Sequence, residues 1–221
     1  MEKIIAAAGL LLTACTAHAN FVLLDSDGSS SGAAVSTDND FRNSLAAAGV
    51  SQYTLGASLA TDMAGMVTFY YYGAEAGFAN AFAAGDLAMQ TALATRASSF
   101  AAPREIGSMA VGTGLLDFGF CAFSASRIEV GCLSNAQNDR GGLAQSIGMN
   151  IQGSTAWLLW DDSGLARDAD HDDLLVKAVF TPRASVPEPG SLALFGLGLI
   201  GVGLGTRRRP GAAASGGMHQ A

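Results

Sequence analysis

Short runs of β-branched and aromatic residues dominate the middle of the chain. The clearest run, Met66–Tyr72, ends at Gly73, and a turn cluster at Ser124-Ala125-Ser126 separates two later runs. Such runs predict strands, because these side chains fit a pleated and half-buried surface. The other predicted strands are Leu115–Phe123, Arg127–Leu133, Gln145–Ile151, Ala156–Trp160 and Leu174–Thr181. Their close spacing predicts a mainly β fold, an antiparallel β-sandwich.

One short helix is predicted ahead of these strands, from Thr37 to Gly49. Asp38 stands where an N-cap is expected, and Phe41 and Leu45 lie four residues apart on one helical face. Gly49 is a typical stop signal, because glycine readily adopts the left-handed conformation that ends many helices. Before this helix, the polar stretch Asp25–Gly32 predicts a loop.

Two places in this pattern leave alternatives open. The alanine-rich stretch Ala83–Ala102 fits either a helix or a strand. Trp157 and Trp160 share one predicted strand and, by alternation, point to opposite faces, so at most one of them is expected in the core. The alternatives for the pair are packing in the core or at an edge, and exposure of one ring for stacking on sugars.

The N-terminus has the three parts of an export signal. Lys3 gives a positive charge, Ile4–Thr13 is apolar, and Ala17-His18-Ala19 is a small-x-small cleavage site. Residues 1–19 are therefore predicted to be a signal peptide. A competing motif, Leu12-Thr13-Ala14-Cys15, fits a lipobox and would make Cys15 a lipidated first residue. Either form of processing takes the chain out of the cytoplasm.

A second three-part signal lies near the other end of the chain. A Pro-Glu-Pro triplet stays extended and accessible, because proline fixes φ and lacks a backbone donor. An uncharged apolar run follows, at the lower limit of length for a helix that crosses a bilayer. Three arginines then hold that end on the cytoplasmic side. The parts are Pro187, Glu188 and Pro189, the run Gly190–Thr206, and Arg207, Arg208 and Arg209.

This order of parts resembles the PEP-CTERM sorting signal of Gram-negative bacteria, over residues 186–209. The resemblance implies recognition by an exosortase-type processing enzyme while the inner membrane holds the chain transiently. An ordinary anchor that is never cut is the alternative. The predicted parts of the chain are the signal peptide 1–19, a β-sandwich ectodomain 20–182, a stalk 183–189 with the triplet, a transmembrane helix 190–206 and a basic cytoplasmic tail 207–221. The tail beyond residue 209 departs from the pattern, because such signals usually end soon after the arginines.

Charge is unevenly distributed along the chain. The segment between the two terminal signals holds 17 of the 19 acidic residues but only 8 of the 12 basic ones, a formal charge of −9. Such a surface repels nucleic acid and anionic lipid, and it suits cations and solubility outside the cell. Nucleic acid is therefore excluded as a partner.

Two of the three cysteines lie between the terminal signals. Cys15 belongs to the signal peptide, which leaves Cys121 and Cys132 as an even pair. In an oxidising compartment such a pair predicts a disulfide. The alternative is two buried free thiols.

The densest group of functional side chains is the acidic stretch Asp161–Asp173 between two predicted strands. Its six carboxylates repel one another. Calcium takes six to eight oxygen ligands and would relieve this repulsion, although the spacing does not match an EF-hand. The alternative is a solvated acidic loop that binds nothing tightly. The predicted calcium ligands are Asp161, Asp162, Asp168, Asp170 and Asp172.

Catalysis is not expected from this sequence. His171 is the one histidine between the two terminal signals, so a Ser-His-Asp triad would require it. No serine near it lies in a Gly-x-Ser-x-Gly turn, and we expect His171 to be a loop residue. A pair of carboxylates for glycoside hydrolysis leaves no sequence pattern, so that chemistry stays open.

Two strings extend the family resemblance into the ectodomain. VTFYYYGAEAGFANAF (67–82) and LLWDDSGLARDADHDDLLVKAVF (158–180) are similar to segments of uncharacterised surface domains that precede PEP-CTERM anchors. The resemblance implies a β-sandwich with the acidic loop at one edge and no enzymatic activity. We therefore predict an exported, non-enzymatic cell-surface or extracellular-matrix protein, structural or adhesive in an exopolysaccharide or biofilm context. The alternative is a polysaccharide-acting enzyme or a carbohydrate-binding module that carries the same signal.

Overall fold

Antiparallel strands make up most of the structure, a computed structural model that describes residues 21–75, 77–91, 103–138, 145–162, 170–183 and 196–197. The chain divides into two compact units, residues 1–183 and residues 184–221. The first unit contains all of the described strands.

The described elements are fourteen strands, one α-helix and one 3₁₀ turn. The strands are β1 (Phe21–Leu24), β2 (Ser31–Ala34), β3 (Gln52–Leu55), β4 (Ser58–Thr61), β5 (Gly65–Gly73), β6 (Ala79–Ala84), β7 (Leu87–Gln90), β8 (Arg104–Val111), β9 (Gly114–Leu115), β10 (Phe118–Phe123), β11 (Glu129–Ser134), β12 (Ser146–Gln152), β13 (Thr155–Asp161) and β14 (Leu174–Pro182). The helix is α1 (Arg42–Ala47), and the 3₁₀ turn is Asn135–Gln137.

The strands form three antiparallel sheets. The largest has seven strands in the order β2-β3-β12-β13-β14-β5-β8, the second has the order β11-β10-β6-β7, and the third has the order β1-β4-β9. One hydrophobic core contains residues from all three sheets. The seven-stranded sheet therefore packs on the two smaller sheets, and the predicted mainly β sandwich with one short helix is confirmed.

Aromatic rings fill the space between the layers. The rings of Phe120 and Trp160 are stacked with centroids 5.2 Å apart. The ring of Phe82 is tilted against Phe69 and makes an edge contact with Phe120. Such offset and edge contacts stabilise a core beyond the area they bury. Because Trp160 comes from β13 and Phe120 from β10, this stack joins the seven-stranded sheet to the four-stranded sheet.

A second apolar cluster covers the other face of the seven-stranded sheet. Phe41 and Leu45 of the α1 region are fully buried there, as their predicted spacing required. The helix ends at Ala47, and the predicted stop residue Gly49 follows the C-cap with a φ of 80°, while the amide of Val50 donates to the carbonyl of Leu45. The prediction of Asp38 as the cap was wrong, because the helix begins at Arg42 without a side-chain cap.

The second cluster corrects the expectation for the two tryptophans. Trp160 packs in the core between the sheets, and Trp157 packs in the cluster under α1. They do face opposite sides of β13, but both sides are covered, so each ring is at most 2% exposed. Lys177 lies over Trp157 with its ammonium 5.3 Å from the ring centroid. The exposed sugar-stacking alternative therefore does not hold for either ring.

The predicted disulfide is present and joins two neighbouring strands. Cys121 of β10 and Cys132 of β11 are direct cross-strand partners, with Cα atoms 4.0 Å apart. The β10–β11 hairpin brings the two cysteines together, and its turn begins at Ser124 of the predicted turn cluster.

The predicted transmembrane segment is mostly outside the described residues. Of residues 190–206 the structure describes Gly196 and Leu197, which are helical. Within the described part of the chain, no helix is long and apolar enough to cross a membrane.

Candidate functional site

The described ends of the acidic stretch form a buried polar cluster where two central strands of the seven-stranded sheet, β13 and β14, are connected. Asp161 ends β13, Asp162 follows it, and residues 170–173 lead into β14. All six of these residues are buried, whereas residues 163–169, including Asp168, lie outside the described residues. The described ends of the loop, which we call the acidic cluster, are therefore buried and not solvated.

Residues just before α1 clamp one side of the acidic cluster. The side-chain amide of Asn39 donates to the carbonyl of Asp170 at 2.8 Å, and the backbone amide of Asp40 donates to Asp172 Oδ2 at 2.6 Å. The side-chain oxygen of Asn39 accepts from the amide of Phe41 at 2.9 Å, which closes a local turn. The N-terminal segment thus fixes the position of residues 170–172.

His171 lies at the centre of the cluster. Its Nδ1 is 3.1 Å from the hydroxyl of Tyr53, and its Nε2 is 2.8 Å from the hydroxyl of Ser146. The backbone of His171 is left-handed, with a φ of 59°, a conformation that costs free energy for a residue with a Cβ. Burial, together with the carboxylates of Asp161 and Asp170, raises the pKa of Tyr53 to about 12, so its hydroxyl stays protonated at neutral pH.

Asn80 organises the opposite side of the cluster from β6. Its side-chain amide donates to Asp162 Oδ2 at 2.9 Å and to the carbonyl of Asp173 at 3.2 Å. Its side-chain oxygen accepts from the indole N–H of Trp160 at 3.2 Å. One fully buried amide therefore links both ends of the acidic loop to the aromatic core.

The fold changes the ionisation of Asp173. Burial and the carboxylate of Asp162 together raise the pKa of Asp173 to about 9, although the amide of Asp162 donates to Asp173 Oδ2 at 2.7 Å. Asp173 is therefore protonated at neutral pH. Protonation thus lowers the negative charge of the cluster and weakens the repulsion among its carboxylates. The sequence does not reveal this effect.

Four of the five predicted calcium ligands lie in the acidic cluster. Among the described residues, no group of three or more histidine, cysteine or acidic side chains is arranged to hold a metal ion. Four predicted ligands, Asp161, Asp162, Asp170 and Asp172, are described and buried, and the fifth, Asp168, is not described. A calcium site with these ligands stays a prediction.

Ser146, His171 and Asp161 have the composition of a hydrolase triad. However, His171 Nδ1 is 3.9 Å from Asp161 Oδ2, longer than a hydrogen bond, and the nearer contact of that nitrogen is Tyr53. The measured distances show that His171 connects the acidic loop to Tyr53 of β3 and to Ser146 of β12.

Local sequence gives no signal for the residues that hold the cluster. Asn39, Tyr53 and Asn80 lie 132, 118 and 82 positions from the residues they contact. Ser146 is closer, 25 positions from His171, but it is part of an ordinary strand. Strand pairing brings Tyr53 and Ser146 to the loop, packing of the two sheets brings Asn80, and the segment before α1 brings Asn39.

The predicted sorting triplet and arginines lie outside the described residues, so their placement rests on sequence. The family model of the PEP-CTERM protein-sorting motif matches residues 185–209. No curated protein and no solved structure matches the chain.

The matched motif implies an exported protein with a C-terminal sorting signal, and the structure shows that the described part of the chain before this signal is mainly β. The signal is of the PEP-CTERM type, which implies processing by an exosortase-type enzyme and membrane-associated sorting towards the cell surface.

Proposed function

We propose that the chain is a non-enzymatic structural or adhesive protein of the cell surface or extracellular matrix, in an exopolysaccharide or biofilm context. The sorting motif at residues 185–209 is the observation that carries this proposal, because such a signal implies export and sorting towards the cell surface. A disulfide between two strands and a strongly acidic composition suit an ectodomain that functions in an oxidising, cation-containing exterior.

A polysaccharide-acting enzyme or carbohydrate-binding module is the second candidate. The observation in its favour is a cavity of about 450 Å³ that is lined by Asp86, Asp117 and Ser108. Two carboxylates at one cavity are the groups that glycoside hydrolysis uses. Release of reducing sugar from exopolysaccharide by the purified ectodomain would identify the enzyme, and co-sedimentation with insoluble exopolysaccharide without such release would identify the binding module.

The sorting step is tested by replacing Pro187, Glu188 and Pro189 with alanine. We expect the full-length variant to accumulate in the inner membrane, because the processing enzyme no longer recognises an extended triplet next to the anchor. Cell fractionation and mass spectrometry of the mature C-terminus measure the outcome, with wild-type protein expected to end near Gly190.

A matched control replaces Ser215, Gly216 and Gly217 with alanine, three residues beyond the matched motif. This control should be processed like the wild type. Normal release of the triplet variant would show that Pro-Glu-Pro does not direct processing of this chain.

A further inference from the structure

The strand β11 is held firmly at its C-terminal end. Among the described strands it pairs with β10 alone, so it lies at the border of the four-stranded sheet. Leu133 near this end is buried in the core. The element that follows begins with Asn135, whose fully buried side chain donates to the carbonyls of Leu59 and Leu116, both at 2.8 Å. These contacts fix the chain from Leu133 onward.

The other end of the β10–β11 hairpin is exposed. The side chain of Ile128 is 67% exposed and that of Val130 is 50% exposed. The register of the two strands shifts at a bulge, which leaves Val130 without a directly opposite residue on β10. In the turn, Arg127 has a left-handed backbone with a φ of 60°, which costs free energy for a residue with a Cβ. Residues 124–130, which we call the hairpin tip, therefore have little besides the turn to hold them in place.

The disulfide between Cys121 and Cys132 lies between the firm end of β11 and the hairpin tip. Cys132 is exposed and Cys121 is half-buried, so Cys132 is the more accessible residue of the pair. Both cysteines line a concavity of about 260 Å³, which gives a small thiol room to approach them. Thiol–disulfide exchange depends on such access. The bond is therefore open to attack in the folded protein.

The residue next to Cys132 is in close contact with a side chain that supports the acidic cluster. A Cβ added at Gly131 would lie 2.7 Å from the side-chain oxygen of Gln145, so the backbone of β11 and this side chain are packed together. Gln145 in turn donates its side-chain amide to the carbonyl of Asp162 at 3.2 Å. A movement of β11 at Gly131 would thus take a packing neighbour away from Gln145.

We propose that the Cys121–Cys132 disulfide is a redox latch: its reduction by a small thiol or dithiol opens the hairpin tip while the rest of the fold stays intact. The thiolate of the reductant attacks Sγ of Cys132, the disulfide bond breaks, and Cys121 leaves as a thiolate that takes up a proton. A second thiolate attacks the reductant's sulfur in this mixed disulfide, which releases Cys132 and leaves the reductant oxidised. The inference goes beyond the proposed function and does not depend on it.

Limited digestion with trypsin tests the opening, because Arg127 lies in the hairpin tip. In the purified full chain, cleavage after Arg127 should be about tenfold or more faster after treatment with dithiothreitol. The double variant Cys121→Ala/Cys132→Ala should show the faster rate with and without dithiothreitol. Cleavage after Lys177 is the internal control, because this residue lies in β14, between β13 and β5, where trypsin reaches it after the sheet has unfolded.

Urea separates local opening from unfolding of the whole protein. Local opening exposes little surface, so the rate of cleavage after Arg127 in the reduced protein should stay constant at urea concentrations well below the unfolding midpoint. The rate of cleavage after Lys177 should rise steeply over the same range. If reduction does not speed cleavage after Arg127, or if that rate rises with urea in parallel with the rate at Lys177, the latch is refuted.

A monothiol identifies the sulfur that is attacked. After a brief reaction with glutathione, iodoacetamide blocks the thiol that has been released, and mass spectrometry locates both groups. We expect glutathione on Cys132 and the blocking group on Cys121, because Cys132 is the exposed residue. Equal or reversed labelling overturns the direction of attack. A disulfide that dithiothreitol reduces only in unfolding concentrations of urea overturns the access on which the latch depends.

Discussion

A few polar residues that are distant from the acidic loop in sequence fix its described ends in place. Asn39 and Asn80 each bond the loop through a buried amide, and His171 contacts Tyr53 from a left-handed backbone position. The sequence predicted which carboxylates gather, because they are adjacent in the chain. It did not predict their burial, since the groups that make burial possible come from other elements.

At the residue scale, Asp173 should give the protein an unusual pH dependence. Because the folded state keeps the proton up to a pKa of about 9 and the unfolded state releases it near 3.8, stability from this group falls as pH rises through that interval. Relative to the wild type, Asp173→Asn should therefore gain stability with increasing pH, by up to about 1.4 kcal/mol per pH unit. Urea unfolding at pH 5 to 8 in the presence of a chelator measures this.

The exposed Asp38→Asn is the matched control, and its stability should run parallel to that of the wild type. If Asp173→Asn also runs parallel to the wild type at every pH, Asp173 is ionised in the folded protein.

At the scale of elements, strands rich in aromatic and β-branched residues were predictable, and strands made mostly of small residues were not. β5 and β14 closely match their predicted ranges, because aromatic and β-branched side chains identify them. β2 and β6 consist mostly of alanine, glycine and serine, and they are strands because neighbouring strands supply their hydrogen bonds. The predicted strand Leu115–Phe123 is in fact two strands, β9 and β10, which pair in different sheets.

The disulfide between β10 and β11 should contribute to the stability of the fold. Replacing Cys121 and Cys132 with alanine should lower the free energy of unfolding by about 2–3 kcal/mol, because the unfolded chain regains the freedom of the closed loop. Urea unfolding measures the loss. A reducing agent should destabilise the wild type by a similar amount and leave the double variant unchanged; equal midpoints of wild type and double variant would contradict the prediction.

At the scale of the whole molecule, the sequence predicted the sandwich and the sorting signal but not the second apolar cluster. The rule that one face of a strand points to the core failed at β13, because α1 and the preceding loop cover the face that holds Trp157. The strand order was also beyond prediction, since β14 pairs with β5 across a hundred residues of sequence.

Calcium binding is a prediction at this scale, because the acidic cluster joins the segment before α1 to the segment before β14. If calcium binds the folded state alone, a concentration a hundredfold above Kd should stabilise the ectodomain by about 2.7 kcal/mol. Thermal melts with calcium and with chelator measure the shift, which Asp170→Asn should reduce and Asp38→Asn should not. Identical midpoints with and without calcium would leave hydrogen bonds and protonation as the means by which the cluster is stabilised.

The central position of β14 has a consequence for the order of events during export. This strand is the last one before the sorting signal, yet it lies between β13 and β5 and supplies buried residues to both apolar clusters. A chain that crosses the membrane with its N-terminus first cannot complete the large sheet until residue 182 has emerged. A chain that stops short of this residue leaves β13 and β5 without the strand that lies between them, and unpaired strand edges of this kind are prone to aggregation.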